Sequence, residues 1–133
     1  MKVFDHERLE VYKRSIEYVV VANEIAEQLP RGRGYLADQF QRAATSIPLN
    51  VAEGAGEFSE REKARFYRMA RRSATECAAI LDVCRHLELV DLRRYEGAHG
   101  LLGEIVAMPV RMIRNLGNEE EGKGKGKGKG KEG

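Results

Sequence analysis

Tryptophan is absent from this 133-residue sequence, proline occurs three times and cysteine twice, and each scarcity narrows what the chain can be. So few prolines leave long stretches free to propagate helix, and the strict alternation of a half-buried strand is hard to find anywhere. Two cysteines build no disulfide framework. Cys77 and Cys84 lie seven residues apart in a helical stretch, about 10.5 Å along the axis, too far to bridge each other. No apolar run reaches the roughly 18 residues of a membrane span, and the N-terminus lacks the apolar stretch of a signal peptide, so the cytoplasm is the expected address.

What is present is helical. Ala, Leu, Glu, Arg and Lys are abundant, and a hydrophobic content of 42% suffices for one core without disulfides or metal. Leu9, Tyr12, Ile16, Val19, Asn23 and Ala26 step by three and four along a helix expected from about Glu7 to Leu29. Pro30, Gly32 and Gly34 end it. Asn23 at a seam position is expected to fix register, and Tyr18, Val20 and Val21 leave this helix apolar beyond its seam, which invites self-association. Leu36, Phe40, Ala43, Ile47 and Val51 mark a second helix, about Tyr35 to Glu53, with Pro48 as a bend and Gly54 and Gly56 as its stop.

Ser59, with Glu62 three residues on, reads as a capping box opening the longest helix, about Glu60 to Leu89. Its seam is Phe66, Ala70, Ser73, Cys77, Ile80, Cys84 and Leu87. Asp91 caps a fourth helix, about Leu92 to Leu116, carrying Leu101, Ile105, Met108 and Met112, with Pro109 as a kink and Gly117 as its end. The expectation is an all-α, antiparallel, up-down-up-down four-helix bundle over residues 1–117 that assembles into a ring-like homo-oligomer. Residues 118–133 repeat Gly-Lys without an apolar side chain and are expected to form a disordered tail.

The net charge of +2 conceals that division: the tail holds five Lys and four Glu, leaving 18 basic and 17 acidic residues before it. A neutral bundle binds a polyanion only through a local arrangement. Arg61, Arg65, Arg68 and Arg72, spaced four, three and four, fall within a wedge of roughly 60°, some 130° from the expected seam. Four guanidiniums on one face suit phosphates, RNA or DNA. The competing reading pairs them with Glu10, Glu17, Glu24 or Glu27 of the first helix or of a neighbouring copy, in a protein that binds protein and no nucleic acid.

Arg42, Ser46, Asn50 and Glu53 form a polar line on the second helix. It contains a serine but no base, so a structural role is expected, with Asn50 and Ser46 answering the carbonyl that Pro48 releases and Glu76 partnering Arg42. Glu96-Gly-Ala-His99 has the Glu-x-x-His spacing of a di-iron bundle, but such a site needs two copies plus two further glutamates. Cys84-Arg-His86 points to different sides of a helix. The chain is therefore expected to carry no metal, no cofactor and no enzymatic activity.

The run Arg42-Ala-Ala-Thr-Ser-Ile-Pro-Leu-Asn-Val-Ala-Glu-Gly54 resembles the pattern RAA-x-SIP-x-N-[IV]-AEG of the ribosomal RNA intervening-sequence, or S23, family of four-helix bundles. The likeness continues through Ser59, Glu62, Phe66, Ala70, Ser73 and Glu76, and the opening Phe4 to Tyr12 is similar too. Gln41, Lys63 and Arg72 depart from it, the last two making the third helix more basic. The resemblance implies a bundle assembling as a ring, a pentamer, and gives structural weight to Arg42, Ser46, Pro48, Asn50, Glu53, Gly54, Ser73 and Glu76. A more distant similarity, to the accessory protein of diversity-generating retroelements, implies a reverse transcriptase as a partner.

Overall fold

Apolar side chains recur every three or four residues in four stretches, and each stretch is a helix in the computed structural model, which describes residues 4–128 and the side chains as far as Gly117. After a 3-10 turn, Asp5–Arg8, come α1 (Glu10–Glu27), α2 (Gly34–Ala55), α3 (Glu60–His86) and α4 (Leu92–Gly128), with no strand among the described residues. Neighbours in space are α1 with α2, α2 with α3, α3 with α4, and α4 with α1. That closes a ring of four helices in which α1 and α3 lie diagonally, their backbones apart and only core side chains such as Tyr18 and Cys77 approaching across the centre. Gln39 reaches Glu76, Ser46 reaches Ser73 and Lys63 reaches Gly54, so residue numbers fall along α3 as they rise along α2.

The first helix differs most from its sequence reading. It begins at Glu10 because the Phe4 N–H donates to the Glu7 carboxylate at 2.7 Å, holding the preceding residues in the 3-10 turn. Its buried line is Val11, Ser15, Tyr18, Ala22 and Ile25, one residue out of phase with the expected seam, of which only Ala26 is buried. One residue is about 100° of rotation, so Ile16 and Val20 face outward, 42% and 55% exposed, and Asn23 is exposed too. Asn23 therefore fixes no buried register; its Oδ1 accepts from the Gln41 side chain at 2.9 Å on α2. Ser15 is the reason the phase was hidden. Its hydroxyl donates to the Val11 carbonyl at 2.6 Å, which lets a polar residue sit fully buried.

Tyr18 is wholly buried and packs edge-on against Phe40, ring centroids 6.2 Å apart. Its hydroxyl has no hydrogen-bond partner among the described residues, and burial raises its pKa, with the Cys77 thiol adding to the rise. An orphaned buried hydroxyl costs about 1 to 3 kcal/mol. Tyr18→Phe should accordingly raise stability by about 1 kcal/mol in chemical denaturation. A loss of stability would mean that water fills the hydroxyl's need.

In α2 the expected line is buried, Leu36, Phe40, Ala43, Ile47 and Val51, while the helix runs through Pro48 and past Gly54 to Ala55 and ends at Gly56. Ser59 caps α3, its Oγ accepting from the Glu62 N–H at 3.2 Å, but the Glu62 carboxylate turns to Arg65 instead of completing the capping box. The α3 core is Tyr67, Ala70, Ala74, Cys77, Ile80, Leu81 and Cys84; Phe66 and Ser73 are only half-buried and Leu87 is exposed. Both cysteines are free and buried, and burial with the nearby Glu76 charge pushes the Cys77 thiol up to about 12. The end of α3 is closed by Leu89 N–H to Cys84 C=O at 2.8 Å and Glu88 N–H to Arg85 C=O at 3.0 Å, with Glu88 at φ 59° where glycine is usual.

Asp91 caps α4 through the Arg94 N–H at 2.9 Å, a bond that holds its carboxyl below the usual value. The core of this helix is Ala98, Leu102, Ile105 and Pro109, while Leu101, Met108 and Met112 pack half-buried against it. The helix continues past the expected stop at Gly117, which does not take a left-handed φ; one helical glycine costs only about 1 kcal/mol. Of residues 118–133, expected to form a disordered tail, 118–128 continue the backbone of α4, and 129–133 lie outside the described residues.

Candidate nucleic-acid interface

Charge in this bundle is segregated by helix. Residues 60–75 of α3 carry six basic and two acidic side chains, whereas α1 carries four acidic and two basic ones. Because α1 and α3 are diagonal, the α1 acids cannot neutralise α3 within one chain. Glu10 and Glu17 instead converge with Glu104 of α4 on Arg14, at 3.3, 3.4 and 3.3 Å.

Arg61, Arg65, Arg68 and Arg72 are all exposed on the outward pole of α3, about 170° from the buried line Tyr67 to Cys84. They are not equivalent. Arg65 is held in place: its Nε lies 3.0 Å from Glu62, its guanidinium 4.5 Å above the Phe66 ring and its Nη1 3.7 Å from the Met69 sulfur. Arg61, Arg68 and Arg72 have no hydrogen-bond or ion-pair partner among the described residues. Arg61 and Arg68 flank a shallow groove of about 270 Å³ whose floor is Ala64, Ile113 and Leu116. Two further basic residues, to which the sequence pattern gave no signal, border a groove of about 440 Å³ on α4: Arg111 and Arg114, beside Leu9, Met108 and Met112.

The polar line of α2 is built differently from expectation. Arg42 pairs with Asp38 one turn back on its own helix, its Nε 3.1 Å from the carboxylate, and does not reach Glu76. The Glu76 carboxylate accepts from the Gln39 side chain at 3.4 Å. The Asn50 amide donates to the Ser46 carbonyl at 2.8 Å and the Ser46 hydroxyl at 2.9 Å, and that hydroxyl meets the Ser73 hydroxyl at 2.8 Å. Pro48 releases the carbonyl of Ala44, four residues back, so Asn50 answers a different carbonyl from the one anticipated. Glu53 stays exposed. Gly54 is buried where the Tyr67 ring crosses the end of α2, and Lys63 donates to the Gly54 and Ala55 carbonyls at 3.3 and 3.1 Å, a cation closing a helix C-terminus.

Ser46, Asn50 and Ser73 therefore form a hydrogen-bonded clasp between α2 and α3. Asn50→Ala removes the amide that links the carbonyl and hydroxyl of Ser46. Stability should fall by about 1 to 2 kcal/mol, less than for a fully orphaned polar group, because Ser46 keeps Ser73. Thermal unfolding of the variant checks this; an unchanged midpoint would mean the clasp carries no net energy. Glu96 and His99 are exposed, His99 lying 5.4 Å from the Tyr95 ring, and no cluster of three or more metal-ligating residues occurs among the described residues.

These features define a helical bundle with one strongly basic helix face, an internal polar clasp and no helix, among the described residues, long and apolar enough to cross a membrane. Residues 7–111 match the model of the 23S rRNA-intervening sequence protein family, and the chain belongs to that family. Its fold is similar to a crystal structure, at 1.70 Å resolution, of a protein of unknown function from the S23 ribosomal protein family of Bacteroides thetaiotaomicron VPI-5482. That likeness has a TM-score of 0.73 at 22% identity and covers 77% of this chain and 97% of the other. No protein of curated function matches the chain.

Proposed function

We propose that this protein is a non-enzymatic, homo-oligomeric scaffold of the cytoplasm, an up-down-up-down bundle repeated around a ring, that holds RNA or a ribonucleoprotein through the outward face of α3. The observation that carries the reading is the set of three unpartnered arginines, Arg61, Arg68 and Arg72, on a helix that the acids of α1 cannot reach. An exposed cation left without a partner is kept available for one, and the guanidinium suits phosphate bidentately. RNA is favoured over DNA because the family's description, 23S rRNA-intervening sequence protein, names an RNA. Ile16 and Val20, apolar and outward on α1, supply a surface for assembly, and a ring, a pentamer by family resemblance, multiplies the arginine field of an otherwise neutral subunit.

A second reading rests on the same segregation of charge. The outward face of α1, with Ile16 and Val20 among Glu17, Glu24 and Glu27, complements the α3 face of another copy, which would bury the arginines in a protein ring. One experiment separates the two. The full chain, with its five tail lysines changed to Gln so that they do not mimic the stripe, is titrated with RNA over a series of salt concentrations while light scattering follows its size. Binding that weakens linearly in log salt at constant size supports the RNA scaffold. An assembly that falls apart with salt and never binds RNA supports the protein ring, and a monomer of about 15 kDa removes the scaffold reading altogether.

A further inference from the structure

We infer that the nucleic acid taken by this face is single-stranded, and that Phe58 is the platform on which one of its bases stacks beside the α3 arginines. The inference rests on the proposed RNA-binding role of that face and adds to it a class of ligand and a residue.

Phe58 lies in the short link between α2 and α3, and its side chain is 101% exposed, the most of any large apolar residue among those described. A residue at this place ordinarily has a structural use. It immediately precedes the Ser59 cap, the position whose side chain packs on the fifth residue along to fix the entry of the chain into a helix. Here that fifth residue is Lys63, which is occupied with the Gly54 and Ala55 carbonyls and offers Phe58 no apolar surface. The neighbouring aromatic shows the contrast, since Phe66 is half-buried and its face is covered by Arg65 at 4.5 Å. Phe58 thus presents a bare ring.

Its surroundings select the occupant. Glu57 and Glu60 flank the ring along the chain and Glu62 is engaged by Arg65, while Arg61 begins the basic line three residues on, and Arg68 and Arg72 extend it along the outward pole for about 16.5 Å. A bare aromatic beside a line of guanidiniums is the combination by which single strands are held, ring against base and cation against phosphate. A duplex offers the cations the same phosphates but keeps its bases stacked inside, where a surface ring cannot reach them without unstacking them. An apolar protein segment would use the ring but leave the arginines desolvated and unpaired, which is costly.

The test uses the full chain with its tail lysines changed to Gln, and three labelled probes of one sequence: a 12-nucleotide RNA single strand, the matching DNA single strand and the blunt duplex. Single strands of either sugar should bind at least tenfold more tightly than the duplex, and the RNA and DNA arms identify which source is preferred. Phe58→Ala should weaken the preferred single strand about tenfold and leave the duplex unchanged, while Phe58→Tyr retains binding. Because the ring touches no core residue, circular dichroism and melting should be the same in all three proteins. Equal affinity for duplex and single strand, or a Phe58→Ala protein that binds as the parent does, overturns this inference and leaves the RNA scaffold standing. A parent chain that binds none of the probes overturns both.

Discussion

Changing Arg61, Arg68 and Arg72 together to Gln should lower the affinity of the tail-neutralised protein for single-stranded RNA about a hundredfold at 0.1 M salt. The magnitude follows from counterion release: each single-strand phosphate that the protein ceases to neutralise flattens the slope of log affinity against log salt by about 0.7, so removing three arginines takes away about two units. One unit of slope is one decade of affinity between 1 M and 0.1 M salt, which gives the hundredfold loss. Arg65 is left in place because it is engaged with Glu62, Phe66 and Met69, and removing it would disturb packing as well as charge. The other three stand free on the surface, where substitutions usually cost within about 0.5 kcal/mol, so the fold should survive. An unaltered slope in the triple variant would show that phosphate is held elsewhere, with Arg111 and Arg114 the next residues to change.

Gly54→Ala should destabilise the bundle by about 2 kcal/mol, against the usual sign for a glycine replaced inside a helix. Alanine ordinarily gains up to about 1 kcal/mol there through helix propensity. At Gly54, however, a Cβ would lie 2.6 Å from Cε1 and 2.9 Å from Cδ1 of Tyr67, and 3.1 Å from Cβ of Phe66. Carbon atoms rest about 3.5 to 4.0 Å apart, so the Tyr67 ring has to move, and at 5% exposure it is enclosed by the core. Overpacking of this kind costs about 1 to 3 kcal/mol and outweighs the propensity gain. Gly100→Ala in α4 is the matched control: nothing lies within 4 Å of its Cβ, and that protein should gain about 1 kcal/mol. Should both variants be stabilised alike, the close approach of Tyr67 to α2 would not be what keeps Gly54 a glycine.

Legibility in the sequence varied with how sharply each helix divides its apolar from its polar residues. The core of α2 could be read directly, because Leu36, Phe40, Ala43, Ile47 and Val51 define one line, with the small Ala44 and Pro48 buried beside it and Asp38, Gln41, Arg42, Thr45 and Glu53 off it. In α1 the apolar residues surround the helix, so two phases a residue apart fit the pattern equally well, and burial of Ser15 through its own backbone bond decided for the less obvious one. The α3 stripe was placed outward correctly because charge avoids the interior whatever the exact seam. Its inequality was not legible: nothing in the spacing distinguishes Arg65, which lies over Phe66, from Arg61, Arg68 and Arg72. Arg42 shows the same limit, since a carboxylate one turn away on its own helix, Asp38, was as available as Glu76 across the groove, and proximity along the chain won. Phe58 carries no signal as a single aromatic in a link, and only its exposure and the absence of an apolar partner at Lys63 distinguish it.

The sequence by itself determined four helices, the Ser59 and Asp91 caps, the outward arginine line and membership of a family through the Arg42 to Gly54 run. These are properties of spacing and local bonding, fixed within a few residues along the chain. The tertiary structure alone decided that α1 and α3 lie diagonally, so that acid and base are kept apart, that Ser46, Asn50 and Ser73 clasp, and that Tyr67 closes on Gly54. Each of these depends on the rotation of one helix against another. A rotation of one residue, about 100°, exchanges buried for exposed without altering the three-and-four spacing, so the pattern along the chain cannot fix it and the packing of the whole core must.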